Sequence, residues 1–132
     1  MLENKLNAQN PAELAREEER ISKQKAVELF DRNMLAHKSA GTIDTLIFIH
    51  KTLFEDIYYF AGEIRTVNIA KSGFRFAPVM YLEQSLKTVE QMPQKTFDEI
   101  VAKYVEMNIC HPFCEGNGRA TRIWLDHIFK NE

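Results

Sequence analysis

Apolar residues recur at helical spacing along most of the chain. Residues 14–40 mix charges of both signs with scattered apolar positions, which predicts one or two solvated helices after a flexible tail over residues 1–13. The next helix is predicted to begin after Gly41, with Thr42 as its N-cap, and to end near Gly62. Its core-facing stripe has steps of three and four and consists of Ile43, Leu46, Ile47, Leu53, Phe54, Ile57 and Phe60.

The period changes from helical to alternating over residues 64–77. The first part, Ile64–Ala70, is short and rich in β-branched residues, and the second, Phe74–Ala77, begins with alternating apolar and polar residues. Lys71, Ser72 and Gly73 lie between them and have the composition of a turn. The pattern therefore predicts one small β-hairpin.

Helical spacing returns after the hairpin. Pro78 is predicted to open a helix that Pro93 stops. Thr96 and Glu99 then form a capping box, which predicts the start of another helix. We expect this second helix to bury a face made of Phe97, Ile100, Val101, Tyr104 and Val105.

Two features indicate where the last helices end and begin. Pro112 disfavours the α conformation at His111, so the capping-box helix should end just before His111 and present that side chain from a loop. A final amphipathic helix is predicted from about Asn117 onward.

Composition and charge narrow the class of protein. The 132 residues allow one domain, residues 1–132, and 45% hydrophobic with 27% charged residues is typical of a globular, mainly α protein. The net charge of −2 gives no support for nucleic-acid binding, and no stretch is long and apolar enough to predict a membrane helix. We therefore expect a cytoplasmic protein whose two cysteines, Cys110 and Cys114, are free thiols.

The stretch His111–Arg122 concentrates residues suited to phosphate chemistry. Gly116 and Gly118 flank the start of the last helix, where the backbone can approach a ligand and N–H groups can converge on an anion. Arg119 and Arg122 are three residues apart, which places two guanidinium groups on one helix face. The pattern indicates an anion site at this helix N-terminus.

A carboxylate and an imidazole complete the stretch. Glu115 is an oxygen ligand that favours Mg²⁺ held jointly with phosphate oxygens, and His111 could accept a proton from an attacking hydroxyl. Zinc is the alternative metal, because Cys110, His111 and Cys114 are soft ligands, but only His127 is available as a nearby fourth.

The stretch His111–Arg122 resembles the signature of Fic-domain proteins, His-x-Phe-x-(Asp/Glu)-Gly-Asn-Gly-Arg-x-x-Arg, at every defined position. The resemblance extends to the segment Phe60–Arg65 and to residues Asn68–Ala77, which resemble the family's flap, and covers roughly residues 40–130. It implies a Fic-type helical core with one small β-hairpin flap. Kinase-like Doc relatives lack glycine at the position of Gly116, so the resemblance is to the adenylyltransferase branch.

The resemblance also implies a function, the transfer of AMP from ATP to a side-chain hydroxyl of a target protein. His111 would then be the base that deprotonates the hydroxyl, and Glu115 would hold Mg²⁺ bound to the phosphates. The residues implied to bind the nucleotide are Lys71, Ser72, Gly73 and Phe74 in the flap turn, and Gly116, Asn117, Gly118, Arg119 and Arg122 in the signature.

The same resemblance also bears on the target protein, on the completeness of the fold and on the alternative activities. We expect the target protein to dock an extended segment on an unpaired edge of the flap; a type II topoisomerase subunit is a candidate by family analogy only. The inhibitory motif Ser/Thr-x-x-x-Glu-Gly/Asn is absent from the sequence, and the chain resembles short Fic proteins that carry it at the C-terminus, so we expect the C-terminal part of the fold to be missing. A nucleotide-binding regulator with little activity and an enzyme that removes AMP from proteins stay open as alternatives.

Overall fold

Helices dominate the fold. The computed structural model describes residues 2–132, and within them it has five helices and one two-stranded antiparallel sheet. In chain order the elements are α1 (Pro11–Asp31), α2 (Ile43–Phe54), β1 (Ala70–Lys71), β2 (Phe74–Arg75), α3 (Val79–Glu90), α4 (Phe97–Cys110) and α5 (Asn117–Lys130). The predicted mainly α fold with one small hairpin is confirmed.

Side-chain caps begin several of these helices. Thr42 accepts a hydrogen bond from the Thr45 backbone N–H at the start of α2, as predicted. Thr96 and Glu99 form both hydrogen bonds of the predicted capping box at the start of α4. Pro78 immediately precedes α3, where its missing N–H is not needed by the helix.

The core lies around α2, which packs against α1, α5 and α3, while α4 packs against both α5 and α3. Trp124 of α5 is fully buried and donates its indole N–H to the Thr42 carbonyl at 3.0 Å. Other fully buried core side chains are Ile49, Leu53, Phe54, Ile57, Met107, Phe113 and Ile128. None of the helices described in residues 2–132 combines the length and the apolar character that crossing a membrane requires.

Two helix boundaries differ from the prediction. Helix α1 begins at Pro11, inside the expected tail, because Asn10 caps it and Leu14 is buried against the core. Ahead of it the Lys5 N–H bonds the Ile57 carbonyl at 2.7 Å, so this segment contacts the body of the domain. Helix α2 ends at Phe54, and the remaining apolar stripe continues through turns that reach Gly62.

The buried face of α4 is rotated from the predicted one. Phe97 is 69% exposed and Val105 is 47% exposed. Ile100 is buried as predicted, and Val101 and Tyr104 are half-buried. The other buried residues of α4 are Lys103, Met107 and Cys110. Lys103 can be buried because its ammonium donates to two backbone carbonyls and to the Gln94 side-chain oxygen. A buried lysine is invisible to a search for apolar positions, which explains the error.

The hairpin is shorter than predicted. Each strand has two residues, with Ala70 opposite Arg75 and Lys71 opposite Phe74. Residues 64–69 are not a strand, because the Arg65 N–H bonds the Pro112 carbonyl at 2.8 Å and ties this segment to the loop after α4. Ser72 and Gly73 form the turn, both with positive φ.

Candidate active site

His111 ends helix α4 in a left-handed conformation, with a φ of 47°, as the C-cap residue. Its Nδ1 lies 3.1 Å from the Asn108 carbonyl, which can only accept, so Nδ1 carries the proton and Nε2 keeps a lone pair. The ring of Phe76 stacks on the imidazole with a centroid distance of 3.7 Å and an interplanar angle of 9°. The predicted loop position of His111 is confirmed, and its tautomer suits a proton acceptor.

The surroundings of His111 favour the neutral imidazole. Burial lowers the pKa of His111 from its ordinary 6.5, and the positive charges of Arg65 and Lys71 act in the same direction. The Asn108 carbonyl and the Glu115 carboxylate oppose them without reversing the shift. His111 is therefore a neutral imidazole at neutral pH, with its one proton on Nδ1 and a free lone pair on Nε2.

Arg65 clamps the backbone around His111. The side chain is buried, with 3% exposure. Its guanidinium donates to four backbone carbonyls, those of His111 (2.6 Å), Cys110 (2.9 Å), Val67 (2.7 Å) and Ala77 (2.6 Å). These bonds join the end of α4 to both sides of the flap segment. Arg65 is thus a structural cation, whose charge is used inside the protein rather than on the surface of the flap.

His50 of α2 holds the turn that follows His111. Its Nδ1 accepts from the Gly62 N–H at 2.9 Å, so Nε2 carries the proton and donates to the Glu115 carbonyl at 2.8 Å. The ring stacks on Phe113 at 3.7 Å and 10°. Burial lowers the pKa of His50 to about 4, so the imidazole is neutral and keeps this pair of bonds at neutral pH.

The glycine and asparagine of the signature shape the start of α5. Gly116 has a φ of 79°, and a Cβ there would lie 2.5 Å from the Phe54 ring, so only glycine fits. The Asn117 side chain is buried and bonds both the N–H (2.8 Å) and the carbonyl (2.6 Å) of Phe113. Asn117 therefore fixes the loop with its side chain and leaves only its backbone for a ligand.

The N-terminus of α5 is open to a ligand. No side chain of residues 2–132 caps this helix, so the first-turn N–H groups and the positive end of the helix dipole face outward. Glu115 is exposed beside it, and its Oε1 accepts a hydrogen bond from the Gly116 N–H at 3.2 Å. Gly118 is exposed with open space around it. This arrangement suits an anion.

The two signature arginines differ in their contacts. Arg119 contacts α1, where its Nη1 donates to Ser22 Oγ and lies 3.8 Å from Glu18 Oε1. Arg122 is exposed and makes no side-chain hydrogen bond or ion pair within the described residues. Of the predicted pair of guanidinium groups, that of Arg119 is thus bonded to α1, whereas that of Arg122 makes no contact of this kind within the described residues.

The flap residues predicted to border the nucleotide, Lys71, Ser72, Gly73 and Phe74, are all exposed in or beside the hairpin turn. The hairpin reaches the signature through Phe76, whose ring lies 5.1 Å from that of Phe74 and stacks on His111.

The metal-ligand candidates do not form a zinc site. Both Cys110 and Cys114 are free thiols, and burial raises the pKa of Cys110 to about 11. His127 bonds the Leu35 carbonyl, and residues 2–132 contain no group of three His, Cys, Asp or Glu side chains that could hold a metal. Glu115 alone remains, and one exposed carboxylate beside an anion site fits Mg²⁺ shared with phosphate oxygens.

Sequence reasoning missed three residues of this site: His50, the clamp role of Arg65, and Phe76. One signal existed for His50, because it lies on the buried face of α2 between Leu46 and Leu53, where a polar residue needs a partner. Arg65 bonds the backbone of Cys110 and His111, and Phe76 stacks on His111, each more than 30 positions away, and no local pattern reports such contacts.

A comparison with protein families matches residues 40–129 to the Fic/DOC family. Among curated relatives, the protein adenylyltransferase VbhT of Bartonella schoenbuchensis is 35% identical over 95 residues, 62% of this chain and 20% of that protein. The probable protein adenylyltransferase Fic of Salmonella typhimurium is 30% identical over 94 residues, 63% of this chain and 47% of that protein. The matched region thus spans less than half of either relative.

Solved structures share the fold. BepC of Bartonella tribocorum, a VirB-translocated effector solved with bound AMPPNP, superposes with a TM-score of 0.83 at 20% identity, covering 99% of this chain and 73% of that one. The Fic domain of a putative cell filamentation protein of Bartonella quintana, with bound ADP, gives a TM-score of 0.84 at 21% identity, covering 99% and 72%.

Proposed function

The chain belongs to the Fic/DOC family, and from this premise we propose that it is a protein adenylyltransferase, which transfers AMP from ATP to a side-chain hydroxyl of a target protein. Relatives named protein adenylyltransferases support the reaction class. The structures of BepC with AMPPNP and of the Bartonella quintana Fic domain with ADP support nucleotide binding at this fold.

The observation that carries the proposal is the state of His111. Its Nδ1 donates to the Asn108 carbonyl, and its lowered pKa keeps Nε2 unprotonated at neutral pH. Nε2 would accept the proton of the target hydroxyl as the hydroxyl oxygen attacks the α-phosphorus of ATP. A bond forms between that oxygen and the phosphorus, the bond from the α-phosphorus to the bridging oxygen breaks, and pyrophosphate leaves.

The start of α5 would bind the phosphates. Backbone N–H groups from Gly116 to Gly118 would donate to phosphate oxygens, in the field of the helix dipole. Arg119 and Arg122 would offset the charge on the β- and γ-phosphates and on departing pyrophosphate. Mg²⁺ bound by Glu115 and phosphate oxygens would supply further charge neutralisation.

The flap would complete the site. Lys71, Ser72, Gly73 and Phe74 would border the nucleotide. A target segment would pair with the exposed edge of the hairpin, which would fix the hydroxyl near His111.

Labelled ATP tests the reaction class. We expect label from α-labelled ATP, and none from γ-labelled ATP, to appear on a target; a type II topoisomerase subunit is the first target to offer. His111→Ala should reduce transfer at least about 10²-fold because the base is lost, while the loss of the Phe76 stacking contact should lower the melting temperature only modestly. Transfer from γ-labelled ATP would indicate a kinase. Nucleotide binding without any transfer would favour the regulator alternative.

A second experiment tests the phosphate assignment. Arg122→Ala should weaken ATP about tenfold or more and AMP little, because its role is assigned to the terminal phosphates. Calorimetric titration with both nucleotides measures this, and equal losses for ATP and AMP would place Arg122 away from the phosphates.

Proline substitution tests target docking. The Phe76 N–H bonds the Ile69 carbonyl, so alternation along β2 turns the Arg75 N–H outward. Arg75→Pro should therefore remove target modification while ATP binding persists, and Arg75→Ala is the matched control for the lost charge. Modification that survives Arg75→Pro would contradict docking on this edge.

A further inference from the structure

Helix α1 contacts the candidate phosphate site although it lies outside the residues matched to the family. The match begins at residue 40, and α1 ends at Asp31. Ser22 of α1 has no exposed surface, and its Oγ accepts a hydrogen bond from Arg119 Nη1. A fully buried hydroxyl thus accepts a hydrogen bond from a signature arginine 97 positions away.

Ser22 and Glu18, the α1 residues that contact Arg119, are themselves held in place by further hydrogen bonds. Ser22 Oγ donates to the Glu19 carbonyl at 3.4 Å, so its proton is engaged and its lone pair faces Arg119. Glu18, one turn earlier, has Oε1 3.8 Å from Arg119 Nη1, while Oε2 accepts from the hydroxyl of Tyr58. Tyr58 is 1% exposed, so the carboxylate is anchored to a buried ring.

This contact uses only one nitrogen of the guanidinium. Within the described residues, the Nε and Nη2 groups of Arg119 donate to no acceptor. The arginine is thus held at Nη1, and the N–H groups of its other edge remain for two oxygens of one phosphate, the geometry in which guanidinium binds phosphate well. Arg122 has no such support, so the two arginines would contribute differently.

We propose that Ser22 is a positioning residue of the nucleotide site, which orients Arg119 toward the terminal phosphates with Glu18 in support. This inference rests on the proposed role of Arg119 in the function described above. It adds that α1 is part of the machinery for binding ATP.

Calorimetric titration of the full chain with ATP and with AMP tests the proposal. Ser22→Ala should weaken ATP about tenfold, the size expected when a hydrogen bond to a charged group is lost, and leave AMP unchanged because AMP has no terminal phosphates. Glu28→Gln is the matched control, since this carboxylate on the same helix pairs with Lys25. Ser22→Cys, close in volume, serves in place of the alanine if that variant does not fold.

A purely structural role for Ser22 gives a different pattern. It would lower the melting temperature and weaken ATP and AMP alike, or weaken neither. A double-mutant cycle adds a second criterion: if Ser22 acts through Arg119, then Ser22→Ala in an Arg119→Ala background should not weaken ATP further. An additional tenfold loss in that background overturns the proposal.

The outcome is independent of catalysis. If the parent chain transfers no AMP but the ATP-specific loss and the coupling to Arg119 hold, the adenylyltransferase proposal fails and the positioning role stands. If the parent transfers AMP and Ser22→Ala changes neither nucleotide, the positioning role fails alone. A parent chain that binds no ATP overturns both.

Discussion

The two halves of the candidate site are built in opposite ways. The signature turn, residues 110–117, is held by three buried polar side chains: the Arg65 guanidinium and the His50 imidazole come from other parts of the chain, and the Asn117 amide comes from the end of the turn itself. The hairpin, residues 70–75, has only exposed residues and two-residue strands. Its base joins the domain through Phe76 and the Ala77 N–H.

Under the proposed function, this difference assigns separate tasks to the two halves: the turn would hold the groups that bind the phosphates, and the hairpin would contact the target protein. Groups that stabilise developing charge work best when the fold fixes them before the ligand arrives, and buried hydrogen bonds give the turn that rigidity. A docking edge needs exposed backbone instead, and the hairpin offers it. We therefore expect substitutions of the buried side chains that hold the turn to lower stability and nucleotide binding together, and substitutions of exposed hairpin side chains to cost little stability.

The largest effect should come from the buried guanidinium. Arg65→Ala leaves four backbone carbonyls without their donor, which should lower the free energy of unfolding by about 4 kcal/mol or more. Arg75→Ala, at an exposed arginine of the hairpin, should change it by less than about 0.5 kcal/mol. Denaturant unfolding of both variants measures the contrast, and similar losses would remove the distinction between the two halves.

A pair of glycines provides the next test. In Gly116→Ala the backbone must keep a φ of 79° and the new Cβ would lie 2.5 Å from the Phe54 ring. This variant should lose about 3 kcal/mol of the free energy of unfolding and bind ATP more weakly. Gly73→Ala has a similar φ of 82° but open space, and should cost only about 1 kcal/mol through backbone strain. Thermal melting and calorimetry apply to both, and equal costs would show that the ring contact is unimportant.

Acid should loosen the turn through His50. Its folded pKa of about 4 is below the unfolded value near 6.5, so the unfolded chain binds more protons between these values and stability falls as pH falls. The loss from His50 should reach about 2 kcal/mol at pH 5. Denaturant unfolding at pH 7 and pH 5 should show a smaller difference in His50→Gln than in the parent. His37→Gln, at an exposed histidine, should retain the parent's difference.

The smallest expected effect concerns the ring over His111. Phe76→Ala exposes the imidazole, so the pKa of His111 should rise toward its ordinary 6.5. The pH below which the transfer rate falls should rise together with this pKa. NMR titration of the imidazole checks the shift directly. Phe74→Ala, at an exposed hairpin ring, is the control, and an equal shift in that variant would contradict the stacking explanation.

The fold was predictable where local chemistry decides it. Thr42 and the Thr96 capping box mark helix starts because their side chains bond N–H groups within three residues, and Pro78 and Pro112 act on adjacent residues. The signature is likewise a local string. These features need no knowledge of the rest of the chain.

The remainder depends on pairs that are distant in sequence. Lys103 is buried on α4 because its acceptors come from the last residue of α3 and the loop after it. The segment around Arg65 is not the predicted strand because it bonds residues about 45 positions away, at the end of α4 and the loop that follows. Arg119 contacts α1 across 97 positions. Burial of a charged group is decided by such partners, and periodicity treats the same group as exposed.

The exposure of residues 70–75 bears on how such a chain can evolve. A mutation in this hairpin removes no buried contact, so selection for a folded protein leaves its sequence free to drift. Mutations of Arg65 or His50 are removed by that same selection, whatever the protein modifies. If targets dock on the hairpin, new targets can therefore be acquired by point mutation there, while the nucleotide-binding half is inherited unchanged.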